Sequence, residues 1–551
     1  MKRVMGIILV LIIVACVFAF ICSNDDPASL ATPPSTETTE SSASAAAPEE
    51  GTSVSATAPE ESTTATDEIE STGATDPEES AAPSETEDPP PSTQPATTKP
   101  TTPTQTKPGN TQGGNSGPKV IAQGNWDSGP VVWKITEDGT LSFEVEGRYH
   151  IQGKMDYIWQ RQYGEFITKV VIGDGITSIP NNAFNFMPNL KEVYIGNAVT
   201  IIRDHAFTRC PSLESVVFPE SLKTLEKNAF EDCTSLTSVV FKGKTSIGKQ
   251  AFVGCVNITS VTMENVVAIG TSAFAGCSSL KAITIPSNVT EIPERAFSGC
   301  SSLETISFAE GTALQTIGMY AFRGAAIREL TLPESLTVID YQAFAECKQL
   351  QSLHLRGNNP RIGQYVFQNC TSLEKVIIEN CGLYANVFDG CNAITSIEFY
   401  NPRTCKIADL PSLSSVVVSG TASSTGSFQN CSALTSVAIQ APITSVSERA
   451  FYNCPALTSI TLPETVQKIY NYAFVGSGIT KITIPASVTI LGDTVFSSQT
   501  TEITFLGNAP EQIDSAAFKS VTATVYYPAG NETWTEEVRK DYGGTLTWVA
   551  Q

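Results

Sequence analysis

Thiols are the residues best able to do chemistry in this 551-residue chain, which has 14 Cys against three His. A cysteine can be a metal ligand, a nucleophile, half of a disulfide or a small buried hydrophobe, and its spacing separates these roles. Ten cysteines share one position, three residues after a Phe: Cys210, Cys233, Cys255, Cys277, Cys300, Cys347, Cys370, Cys391, Cys431 and Cys454. Where Cys is missing there, the sequence has Met187, Ala325, Ser477, Gln499 or Val521. A slot that takes Ala, Met and Val as readily as Cys reads as packing. No CxxC or HxxxH pair gathers a zinc site. Neighbouring units would bring these thiols to about 5 Å, within disulfide range, but parallel side chains disfavour the bond. Cys381 and Cys405 break the pattern: each lies two residues before an equivalent anchor, Leu383 and Ile407. They are the candidate disulfide, with two free thiols as the other reading. His150, His205 and His354 are scattered, His205 on an Ala-Phe turn and His354 on the outward face of a strand. No GxSxG, HExxH, P-loop or strand–helix GxGxxG appears. The expectation is therefore a non-enzyme with no catalytic, cofactor-binding or metal residues.

What positions the thiols is a repeat. Its Phe recurs at 184, 207, 230, 252, 274, 297, 322, 344, 367, 388, 428, 451, 474, 496 and 518, mostly every 21 to 23 residues. The 40-residue gap between Phe388 and Phe428 holds a degenerate unit, "IADLPSLSSVVVSG", so the array has about sixteen units. An Ile or Leu lies five before the Phe, as at Ile269, Ile292, Ile362 and Leu383. After the Cys comes a short alternating segment such as "AITI", the pattern of a half-buried strand. Pro often follows (Pro219, Pro286, Pro333) and marks the turn, because it cannot donate to a ladder. The Ala-Phe segment, with Phe and the residue three later on one face, predicts a short helical turn. One unit cannot bury its own apolar side, whereas stacked units can.

The first 117 residues are unlike the rest. Lys2-Arg3 precede an apolar run from Val4 to Cys22. Nineteen residues span roughly 29 Å, about one bilayer core. Segment 1–22 can be a retained signal-anchor helix, a lipoprotein signal with Cys16 as the lipidated residue of "IVAC", or a cleaved secretory signal. All three readings export the protein. Residues 23–117 are rich in Thr, Ser, Pro, Glu and Ala, a composition that buries too little apolar area to offset chain entropy, and predict a disordered stalk. The formal net charge of −22 argues against nucleic-acid binding.

The motif "IxxxAFxGCxSLxxIxIPxxVxx" resembles the repeat of the BspA-like, or Treponema-type, leucine-rich-repeat surface proteins, over about residues 171–527. The stretch at 118–170, with Trp133, Asp138-Gly139 and Trp159, is similar to the β-rich N-terminal cap of such arrays, and 528–551 to their closing segment. The resemblance implies an α/β repeat solenoid: a leucine-rich-repeat array with one parallel β-sheet face, short helical turns opposite and a β-rich cap. It also implies a surface protein that adheres to host proteins, other cells or glycans, with an extracellular protein or glycan as partner and the membrane engaged through the N-terminal segment. A structural spacer without a ligand, and a substrate-capture module of a surface complex, are the alternatives. In either case the open face of the sheet is the place for a ligand. The residue between the two inward apolars of each strand should point out, giving Tyr194, Val217, Val240 and then a largely Thr/Ser row. The least uniform part, His354, Ile377, Glu398 and Val417, abuts the degenerate unit and is the candidate patch, with Tyr194 an outlying aromatic.

Overall fold

A computed structural model describes residues 117–126, 129–151, 157–384, 386–403 and 405–551. The apolar run with Cys16, and nearly all of the Thr/Ser/Pro-rich stretch, lie outside the described residues. Among the described residues no helix is long and apolar enough to cross a membrane.

The repeats stack into a solenoid built from three inter-unit ladders. The alternating segments form the main one. Strands such as Ser215–Phe218, Ser238–Phe241, Ala282–Ile285 and Thr305–Phe308 run parallel to the equivalent strand of the neighbouring unit, like residue beside like: Val216 beside Val239, Ile283 beside Ile306. Successive side chains alternate sides, so one set turns into the core and the other faces away. The second ladder consists of two-residue strands carrying the aliphatic residue five before the Phe, with Ile179 beside Ile202 and Ile202 beside Leu225.

The third ladder corrects the expectation of helical turns. Among the described residues the assigned helix is Ile158–Tyr163, ahead of the repeats, and the Ala-Phe segments are turns. In a helix each N–H would bond a carbonyl four residues back in its own segment. Here the N–H groups cross to the next unit instead. Those of Gln250, Phe252 and Gly254 donate to the carbonyls of Thr271, Ala273 and Ala275 at 2.9, 2.8 and 3.0 Å, and those of Arg295, Phe297 and Gly299 to Met319, Ala321 and Arg323 at 2.9, 2.8 and 2.9 Å. Reaching across requires left-handed backbone two residues before and two after the Phe, as at His205 (φ 56°) and Arg209 (φ 56°) around Phe207. That is why the second position is so often Gly or Asn. At Gly299 (φ 74°) an added Cβ would sit 3.8 Å from Gly276, so there is room and the cost falls on the backbone. Gly299→Val should destabilise by roughly 1–2 kcal/mol. Gly299→Asn should cost less, since Asn369 and Asn453 hold the equivalent position at φ 58° and 57°. Urea titration of the two variants checks the order.

The core between the ladders is a column of Phe rings. Phe252, Phe274, Phe297 and Phe322 lie 5.2, 5.5 and 5.3 Å apart, with ring planes within 5°. Nine of the ten thiols of the ladder donate to the Phe carbonyl of the preceding unit, among them Cys210 to Phe184 (3.1 Å), Cys233 to Phe207 (3.1 Å) and Cys391 to Phe367 (3.0 Å), while Cys431, which follows the unit without a Phe, turns to the Gln429 carbonyl at 3.7 Å. Cysteine therefore combines packing with a weak donor at the right reach. Ser477 occupies the same slot with a shorter arm, and its buried hydroxyl has no partner.

The expected Cys381–Cys405 bond is not formed, and both buried thiols are free. The register explains why. Cys405 lies opposite Leu383 in the parallel ladder, two positions away from Cys381, so the two residues do not share a slot. The Cys381 thiol donates instead to the Glu379 carbonyl at 3.0 Å.

Aromatic clusters lie at both ends of the column. Strands Val120–Asn125, Val132–Thr136 and Thr140–Glu144 are each antiparallel to the next, and the last pairs in parallel with Lys169–Ile172, the first strand of the array. Trp133 lies on the second strand, Gly139 (φ 80°) turns between the second and third, and Trp159 lies on the helix. Phe143 and Trp159 contact Phe184 at 5.6 and 6.3 Å, and the Trp159 indole donates to the Ala183 carbonyl at 3.0 Å. At the other end Trp534 lies 4.8 Å from Phe505 and donates to the Gly507 carbonyl at 3.0 Å.

Candidate ligand-binding surface

The thiols are placed for packing rather than chemistry. Burial pushes Cys300 up to about 12 and Cys454 to about 11, from an ordinary value of 9.0. Burial also leads in holding Cys233 and Cys277 well above 9.0. For Cys210 and Cys370, contact with the neighbouring thiol comes first and burial after it. None of these is poised as a thiolate.

The open face of the sheet is more varied. His354, Ile377, Glu398 and Val417 are brought together as one row, each beside the next in parallel register. Ile377 is 37% exposed, Glu398 is exposed, and His354 and Val417 are half-buried. At ~4.8 Å per strand the row is about 14 Å long.

Tyr194 does not join this row, and its outward placement is corrected. Seven strands away, it is only 8% exposed, and Val217 and Val240 are 4% and 5% exposed. Val171, Tyr194, Val217 and Val240 follow one another on successive strands, so apolar side chains pack against apolar neighbours along the sheet. The Tyr194 hydroxyl donates to Asp174 at 3.1 Å.

A second row, not anticipated from the sequence, runs beside the first: Arg356, Glu379, Tyr400 and Ser419, again in register. It exists because the four strands Ser352–Arg356, Lys375–Glu379, Ser396–Tyr400 and Ser415–Ser419 have five residues each, where the preceding strands of the main ladder have three or four. The sequence carries part of the reason. In several other units Pro219, Pro286 or Pro333 follows the fourth strand position and removes a donor, though strands followed by Lys242 and Ala309 also stop at four residues. Here that position is Arg, Glu, Tyr or Ser, and the ladder runs one residue further before left-handed Asn380, Asn401 and Gly420 end it.

The two rows meet at Glu379. Glu379 lies 3.0 Å from His354 Nε2 and 3.4 Å from Arg356 Nε, and Arg356 also pairs with Glu334. Tyr400 is 51% exposed. The surface therefore offers an aromatic ring, an apolar Ile, a free-standing carboxylate at Glu398 and a cation already held in place. Aromatic and Arg side chains are the types that concentrate binding energy at interfaces.

The comparisons with known proteins agree on the repeat. The model of the BspA type leucine rich repeat region, in six copies, matches residues 162–281, 267–395 and 421–537, more than half of the chain. No curated protein matches. Among solved structures, a leucine-rich repeat protein from Bacteroides ovatus is 22% identical, with a TM-score of 0.40, covering 77% of this chain and 99% of its own. One from Eubacterium ventriosum is 20% identical, with a TM-score of 0.32, covering 66% and 96%. A leucine rich cell surface protein from Faecalibacterium prausnitzii is 22% identical, with a TM-score of 0.31, covering 76% and 97%. The matched residues include His354, Arg356, Ile377 and Glu379 but not the strands that carry Glu398, Tyr400, Val417 and Ser419, and the chain belongs to the BspA type leucine-rich-repeat family.

Proposed function

We propose that this protein is a cell-surface adhesion or interaction protein that holds an extracellular protein or glycan on the open face of its sheet, at the four five-residue strands. In this reading segment 1–22 exports and tethers the chain, by a membrane helix or through lipid at Cys16, and residues 23–117 act as the stalk. The observation that carries the reading is the paired row of mixed side chains, His354-Ile377-Glu398-Val417 beside Arg356-Glu379-Tyr400-Ser419, within an otherwise Thr/Ser-rich face. A sheet that only separated two parts of a molecule would need no such change of residue type.

The full chain, purified and presented to an array of extracellular-matrix proteins, mucins and polysaccharides, should bind one class saturably. Changing His354 and Glu398 together to Ala should weaken that binding about tenfold or more, equivalent to about 1.4 kcal/mol. Binding that ignores both changes would move the site off this surface. Absence of binding throughout would favour the spacer reading.

A further inference from the structure

Beside Tyr400, where the long strands end, lies a cleft of about 420 Å³ lined by Asn380, Asn401, Pro402, Arg403, Thr421 and Ser423. The volume is in the range of about 300–1,000 Å³ usual for small-ligand sites. The degenerate unit creates it. There is no Phe between Phe388 and Phe428, and buried Ile407 stands opposite Phe428 in its place, while left-handed Asn380 and Asn401 turn the chain out of successive strands at the mouth of the cleft.

The lining is rich in hydrogen-bond donors. Asn401 Oδ1 accepts from the backbone N–H and hydroxyl of Thr421 (2.7 and 3.0 Å), and its amide donates to Asn380 Oδ1 at 3.0 Å. These bonds fix both amides and use their oxygens. The Asn380 amide hydrogens remain, as does the second hydrogen of Asn401. Arg403 adds up to five more donors. It is exposed, and among the described residues neither a carboxylate nor an aromatic ring pairs with it. Every other arginine of the array has such a partner: Arg209 has Asp232 at 3.4 Å, Arg356 has Glu379 at 3.4 Å, Arg323 lies over the Tyr320 ring at 5.8 Å.

We infer that this cleft binds an acidic saccharide, its carboxylate on Arg403 and its ring hydroxyls on Asn380, Asn401, Thr421 and Ser423. Amide and hydroxyl groups match sugar oxygens and give an apolar peptide side chain little to bury against. One carboxylate meets one cation, while a run of carboxylates would meet the repulsion of the acidic chain. The inference deepens the reading above and rests on the protein having an extracellular ligand.

Titration calorimetry of the full chain tests it with galacturonic acid, N-acetylneuraminic acid, neutral galactose and a hexaglutamate peptide. Saturable binding of one acidic sugar is expected, at least tenfold weaker for galactose and for the peptide, and weakened by salt. Arg403→Gln should lose at least tenfold for the acidic sugar and leave the weak binding of galactose unchanged. Asn380→Ala should reduce both. Melting of Arg403→Gln should match the parent, since Arg403 is exposed, whereas Asn380→Ala should melt slightly lower, since it places Ala in left-handed backbone (φ 57°) and removes the acceptor of the Asn401 amide. Equal affinity for peptide and sugar, indifference to Arg403→Gln, or no binding of either acid would overturn the inference. If the acids fail while an array protein is captured through His354 and Glu398, the saccharide site falls and the adhesion reading stands.

Discussion

Raising the pH from about 8 to about 10 is expected to lower the melting temperature of this protein steeply, well beyond the loss usual for an acidic domain. Nine thiols, Cys210, Cys233, Cys277, Cys300, Cys370, Cys381, Cys405, Cys431 and Cys454, are raised above the ordinary value of 9.0 in the folded chain. Below that value both states hold these protons, and the thiols contribute fully. Between it and the folded values the unfolded chain releases protons that the folded chain keeps. The unfolded state then binds fewer protons, and stability falls as pH rises. Each thiol contributes a slope of about 1.4 kcal/mol per pH unit in that window, so rungs that unfold together lose on the order of 10 kcal/mol per unit. Thermal melts at stepped pH under a non-thiol reductant measure the slope. Replacing Cys233, Cys277 and Cys300 by Ala, the residue that stands at the equivalent position 325, should flatten it. An unchanged slope in that triple variant would mean that the thiols do not set the alkaline limit.

Phe297→Ala carries the second large effect. Phe297 is fully buried, and its ring stacks on Phe274 and Phe322 at 5.5 and 5.3 Å. Removing it opens a cavity that the ladders on three sides hold open, and costs of about 3–5 kcal/mol follow for such truncations. Repeats couple chiefly to their neighbours, so the loss falls on one junction rather than spreading along the array. The expected result in urea is a transition split in two, one part for each side of the broken stack. Phe297→Leu keeps most of the volume and should cost less than about 1.5 kcal/mol in a single transition. A single, barely shifted transition for the Ala variant would show that the stack is not the element holding neighbours together.

Much of this fold was legible in the sequence because the same information is repeated. Fifteen Phe anchors placed the core column, alternation placed the strands, and the mixed occupancy at the Cys position identified a packing slot. The helical turn was misread because an apolar residue and its partner three later also suit a turn whose N–H groups cross to the next unit. The distinguishing mark was Gly or Asn two residues after the Phe, at 254, 276, 299, 369, 390 and 453, which left-handed backbone requires and a helix does not. The first row of the candidate surface followed from strand alternation. The second row did not, since it depends on the ladder running one residue further, to Arg356, Glu379, Tyr400 and Ser419, and absence of Pro does not by itself mark that: strands followed by Lys242 and Ala309 stop at four residues. Tyr194 was lost for another reason: alternation gives the side of the sheet a residue faces, but not what lies against it.

The three ladders also restrict how such a molecule can change over time. Each unit must return the chain to all three at once, so residues can be gained or lost only in the connections between ladders, as the 21 residues from Phe367 to Phe388 and the 25 from Phe297 to Phe322 show. Between Phe388 and Phe428 one Phe is missing, yet Ser396–Tyr400 and Ser415–Ser419 still pair in full register, so side chains drift while the rung is kept. Apart from such adjustments, length in this architecture is therefore quantised: the array grows or shrinks by whole duplications, and new recognition arises by rewriting the residues on rungs already present.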